Sequence, residues 1–225
     1  MRGIYTAGVL DVFFGTGGYI FDGVNGVSAG ALHGCSFVSG QKGRSLRYIK
    51  KYRNDKHFMS WWSFLHTGEV VGRQFCYHDI PERLDPFDYE AFIESDTAFY
   101  ATCTNVETGK AEYIKITDMM TQIDAMRASA SMPYVSKIVN YKGMKLLDGG
   151  CADSIPVEAF KRMGYDRIVV VLTREASFVK KPEIQNGRIR YHKYPEFVHT
   201  LQNRHNVYNH SLDVIKELER KVRYS

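Results

Sequence analysis

The 225 residues (25.8 kDa), 44% hydrophobic and 13% aromatic, suit one domain with a full core. No apolar run is long enough to cross a bilayer, and Asp11 ends the apolar start too early for a signal peptide. The +5 net charge lies in residues 174–225, which hold 11 Lys+Arg and 6 Asp+Glu. Without aromatic–basic interleaving, this excess does not indicate nucleic acid. It can attract anionic lipid headgroups, although a solvated helical surface is the simpler reading. Cys35, Cys76, Cys103 and Cys151 lack Cys-x-x-Cys spacing, and the eight histidines lack a His-Glu-x-x-His pattern. We therefore expect no metal and no organic cofactor, and reduced thiols in a cytoplasmic protein.

In chain order, Ile4 to Phe14 reads as a helix with Ile4, Ala7, Leu10 and Phe14 on one face. The cluster Gly15-Thr16-Gly17-Gly18 breaks it, and it precedes a strand, so it is not a phosphate loop. Tyr19 to Val24 predicts a short strand, and Ala29 to Val38 a small-residue helix ending at Ser39-Gly40. Arg44 to Lys56 predicts a basic helix. Phe58 to Leu65 carries both tryptophans; packing on the core is the simplest expectation, with an acyl pocket or a membrane as alternatives.

Ala98 to Cys103 and Glu112 to Ile116 predict a hairpin turning at Thr108-Gly109. Met119 to Ala130 reads as a helix, Lys145 to Leu147 as a strand, and Pro156 to Met163 as a helix followed by Gly164. Arg167 to Thr173 has the unbroken apolar run of a strand buried on both faces. Loop then leads to an amphipathic helix over Val207 to Val222. The alternation predicts a three-layer α/β/α sandwich with a mostly parallel central sheet. The expected unit is one domain over 1–225, with a basic helical segment from about 175.

Where the first predicted strand turns into the second predicted helix stands Gly26-Val27-Ser28-Ala29-Gly30, a Gly-x-Ser-x-Gly nucleophile elbow. Such a serine sits on strained backbone at a helix start, where unpaired N–H groups face a developing oxyanion. A Cβ at Gly26 or Gly30 is expected to collide with the adjoining strand and helix. A serine nucleophile needs a base. Asp148 is the best candidate: it ends a predicted strand, and Gly149 and Gly150 let its carboxylate turn toward another loop.

Four landmarks in order resemble the bacterial branch of the patatin-like phospholipases. These are Arg2-Gly3 with the helix Ile4 to Leu10, the elbow around Ser28 continuing to Gly34, Arg127-Ala128-Ser129-Ala130-Ser131-Met132-Pro133, and Asp148-Gly149-Gly150 with Pro156 downstream. The resemblance covers about residues 1–175. It implies a Ser28–Asp148 dyad without a catalytic histidine, acting through an acyl-enzyme on lipid or fatty-acyl esters. It makes Arg2 and Gly3 the remnant of the loop that supplies the oxyanion N–H groups. The family's triple glycine and preceding strand are not among the 225 residues. The expectation is either a start upstream of Met1 or a weak, unstable or inactive form.

Two alternatives stay open. In an α/β-hydrolase triad, His192, His199, His205 or His210 follows Asp148 in the required order, although none sits in a short loop after a clear strand. In a catalytically incomplete remnant, the fold binds lipid or a partner. Peripheral membrane contact is a further possibility, and the sequence leaves the oligomeric state open.

Overall fold

The computed structural model describes residues 3–15, 21–175, 177–182 and 187–223. Arg2, and Tyr19 and Ile20 of the predicted Tyr19–Val24 strand, fall outside them. The elements run α1 Gly3–Gly15, β1 Gly23–Val27, α2 Ala29–Val38, α3 Arg44–Tyr52 and α4 Trp61–Thr67, then a π-helical segment Phe75–Leu84. There follow α5 Tyr89–Glu94, the hairpin β2 Ala98–Asn105 and β3 Ala111–Ile116, α6 Ile123–Ser129, β4 Val139–Tyr141 and β5 Met144–Asp148. A 3₁₀ turn, Gly149–Cys151, leads to α7 Val157–Arg162 and α8 Pro195–Arg223.

The α/β sandwich expected from the sequence is present around a mixed sheet. β1 runs parallel to β2, whereas β2–β3, β2–β5 and β4–β5 are antiparallel, so the sheet is not wholly parallel. β2 is the hub. On one face its Phe99, Ala101 and Cys103 pack with Ala31 and Cys35 of α2 and Ala125 and Met126 of α6. On the other, Leu147 and Cys151 pack under Phe197 and Leu201 of α8. Burying a side chain such as Phe99 or Phe197 completely contributes about 2–3 kcal/mol. Small residues let α2 lie close to the sheet: a Cβ at Gly34 would stand 2.9 Å from the Phe99 ring.

Several expectations are corrected. The strand before the elbow is Gly23–Val27, later than predicted, because it takes its register from β2: Gly23 pairs Ala98 and Val27 pairs Thr102. α3 stops at Tyr52 and α6 begins at Ile123. α8 starts at Pro195 rather than Val207; Phe197 and Leu201 bury its first turns beneath polar neighbours that obscure the pattern. The apolar run 167–173 makes no strand among the described residues, and Val169 is 59% exposed. A strand buried on both faces needs a neighbour to complete its ladder. Here the run faces β1 across a cavity instead of pairing with it. The Trp segment packs inward only in part: Phe58 lies against the buried Tyr48, Tyr52 and Ile80, whereas Trp61 is 72% and Leu65 81% exposed.

Candidate active site

Strand direction brings Ser28 and Asp148 together. β1 and β5 lie along the same edge of β2, one after the other. β1 runs parallel to β2 and ends with Val27 opposite Thr102. β5 runs antiparallel and ends with Asp148 opposite Cys103. Two strands pointing at each other along one edge must bring their C-terminal ends face to face. Ser28 follows the first end and Asp148 closes the second, and the Ser28 hydroxyl is among the groups that favour the charged Asp148 carboxylate.

Ser28 has φ 56° and ψ −124°, a left-handed conformation that costs a non-glycine residue about 1–3 kcal/mol. The strain is held from two sides. The Ser28 carbonyl accepts from Ala31 N at 3.0 Å, starting α2. Its N–H donates to Ser129 Oγ at 3.1 Å, and Ser129 Oγ donates to Thr102 O at 2.7 Å. Ser129 is fully buried. The Ser28 N–H is thus occupied, and Ala29 N–H is the first amide of α2 beside the hydroxyl. A Cβ on Gly26 would lie 2.2 Å from Ala31 Cα. A Cβ on Gly30 would meet nothing within 4 Å, which corrects the expectation that both glycines are sterically required. Gly30 borders a cavity.

Asp148 is 5% exposed. Burial pushes its carboxyl above the ordinary carboxylate value. The Ser28 hydroxyl, the Gly150 amide and the charge of Arg204 pull the other way. Gly150 N donates to Asp148 Oδ1 at 2.8 Å, and Asp148 N donates to Ser131 O at 2.8 Å. Gly149 is obligatory: a Cβ there would stand 2.1 Å from Thr102 O. Arg204, from α8, donates through Nε to Gly150 O. Sequence reasoning missed Arg204, since one arginine in a helix carries no signal. It also passed over the role of Ser129, which entered only as part of a landmark.

Gly3 begins α1 against the elbow helix, where an added Cβ would stand 3.0 Å from Ala29 Cβ. Gly3, Ser28, Ala29 and Gly30 share one cavity of about 780 Å³ whose far wall includes Ile168 and Val170. No histidine is among the described residues that line this cavity. His192 Nδ1 is directed to Ile189 O, and His210 lies 3.6 Å from Glu158. His33, buried on α2, has its pKa lowered to about 4 by desolvation, against the opposing charge of Asp11, so its ring is neutral at pH 7. Among the described residues no group of three or more His, Cys, Asp or Glu is placed to hold a metal ion. No described helix is long and apolar enough to cross a membrane.

The family model described as patatin-like phospholipase matches residues 1–161. The chain is also similar to the uncharacterized protein YjjU of Escherichia coli (strain K12), 28% identical over 186 residues. That match covers 81% of this chain and 52% of the relative, so the chain spans about half the relative's length.

Proposed function

Because the chain belongs to the patatin-like phospholipase family, we propose that it is a serine acyl hydrolase of lipid esters, with Ser28 as nucleophile and Asp148 as base. The observation that carries this reading is the head-to-head approach, along one edge of β2, of a strained, helix-starting serine and a buried carboxylate. Asp148 takes the Ser28 proton as Oγ bonds to the ester carbonyl carbon, and the carbonyl π pair moves to oxygen. The Ala29 N–H at the start of α2 is the donor we assign to that oxyanion. On collapse the C–O bond to the alcohol breaks, and Asp148 returns the proton to the leaving alkoxide. Water then repeats the sequence on the acyl-enzyme, with Asp148 as base, releasing the fatty acid and regenerating Ser28.

An ordinary aspartate, with pKa near 3.9, is a weak base for a hydroxyl. Desolvation of Asp148 answers that objection in part, since a raised pKa brings the base nearer the working range. The cavity beside Ser28 suits the acyl chain, with Leu10, Phe13 and Val170 among its apolar walls.

The test is labelling by a fluorophosphonate, then hydrolysis of p-nitrophenyl esters of increasing chain length. Labelling should appear in the parent chain and vanish in Ser28→Ala. A folded chain that does not label, or a Ser28→Ala variant that still hydrolyses at the parent rate, refutes the assignment.

A further inference from the structure

Monomeric proteins seldom expose tryptophan, yet both tryptophans of this chain lie at the surface of one short helix. Trp61, Trp62 and Leu65 of α4 are exposed beside Met59, which is 50% exposed. The surrounding charge is positive. Lys56 Nζ lies 4.8 Å from the Trp62 ring centroid. At the other end of α4, the Lys137 side chain packs against Gly68. Exposed Lys50, Lys51 and Arg53 extend the field along and just beyond α3, whose Tyr48 meets Phe58 at 6.4 Å. The acids nearby are engaged: Asp55 with His57 at 2.9 Å, Glu69 with Arg127 at 3.6 Å, and Asp124 with Arg127 at 3.0 Å.

We propose that α4 and its flanking lysines dock this protein on an anionic lipid bilayer. Tryptophan beside lysine is the composition that partitions to a membrane interface, where the indole sits at headgroup depth and the cations meet lipid phosphates. A second copy is the poorer occupant, because a two-fold pair would set the same cations against each other. Backbone hydrogen bonds link the patch to the strand that ends at Asp148. Val70, just after α4, donates to Val135 O at 2.9 Å, and four residues before Val135, Ser131 accepts from Asp148 N. Met132, next to Ser131, is exposed.

The test uses the intact chain, whose emission reports this patch alone because it has no other tryptophan. It is titrated with phosphatidylcholine vesicles and with the same vesicles carrying phosphatidylglycerol, and binding is confirmed by co-sedimentation. A blue shift and pelleting are expected on the anionic vesicles, weakening with salt. Trp61→Ala and Leu65→Ala should each cost at least tenfold in partitioning. Lys56→Gln with Lys137→Gln should cost about 30-fold, on anionic vesicles only. Ser28→Ala should bind like the parent, which separates this proposal from the catalytic reading. The proposal is overturned if the folded chain shows no shift, if the α4 variants bind unchanged, or if emission is already blue without lipid in a dimer that Trp61→Ala dissociates.

Discussion

Gly26→Ala and Gly30→Ala are the same chemical change at the two glycines of one motif, and the structure separates them. At Gly26 the new methyl would stand 2.2 Å from Ala31 Cα, 2.5 Å from Ala31 N and 2.8 Å from Gly30 C. A carbon–carbon contact is comfortable near 3.5–4 Å, so relief needs a shift of over an ångström between β1 and α2. Both are pinned, β1 by its ladder to β2 and α2 by the Ser28 carbonyl. The cost should exceed the ordinary overpacking penalty of about 1–3 kcal/mol, a large share of a domain's stability of about 5–15 kcal/mol. Gly30 lies in the first turn of α2 with a non-positive φ and open space around its Cβ. Alanine there replaces the poorest ordinary helix former with the best, a gain of up to about 1 kcal/mol. The assay is urea unfolding followed by tryptophan emission and circular dichroism, with fluorophosphonate labelling of Ser28. Gly26→Ala should be insoluble or strongly destabilised and should not label, whereas Gly30→Ala should unfold at equal or higher urea. If Gly30→Ala is as damaging as Gly26→Ala, the packing at the elbow is not as described.

Ser129→Ala leaves the Ser28 N–H and a bond to Thr102 O without their partner in a buried site, so chemical denaturation should show a loss of about 2–4 kcal/mol. Its labelling rate should fall with it, and Ser129→Thr should recover part of both. Asp148→Asn should reduce ester hydrolysis by 10³-fold or more while the fold is kept. Because burial raises the Asp148 pKa, its charged form is disfavoured in the fold: the stability it contributes is present below the unfolded carboxylate pKa and lost as pH rises through the raised folded value. Asp148→Asn should therefore melt higher than the parent at pH 7, and a lower melting temperature there contradicts the desolvation argument. The base acts when deprotonated, so hydrolysis should fall on the acid side at a pH above the usual aspartate range. Arg204→Leu, which removes a charge that lowers this pKa, should move the acid limb upward without abolishing turnover.

Local chemistry made much of this legible. Ala29–Val38 stands in the structure with the limits its sequence implies, because Ser39 and Gly40 end the pattern where the packing also ends. Both candidate site residues could be proposed since each sits at a strand end marked by glycine. Long-range pairing was not legible. Nothing in Gly23–Val27 tells that its register is set by Ala98–Thr102. The run 167–173 reads as a strand from composition, yet a strand exists only with a partner. Ser129 and Arg204 reach the site through tertiary contacts from residues that look ordinary in sequence. Phe58–Leu65 looked like core because its residues are apolar, and only the fold shows which face they occupy.

The head-to-head arrangement along β2 bears on where this chain tolerates alteration. Both partners of the Ser28–Asp148 pair are measured off one ruler, the short stretch Thr102–Cys103, and not off the long chain between them. Extra residues at an exposed turn such as Lys142-Gly143 change the distance along the chain and leave the ruler untouched. One residue inserted between Thr102 and Cys103 turns every later side chain of β2 to the opposite face and pushes the two ladders out of step. Circular permutants opened at Lys142-Gly143 should assemble the same pair, whereas those opened within β2 should not.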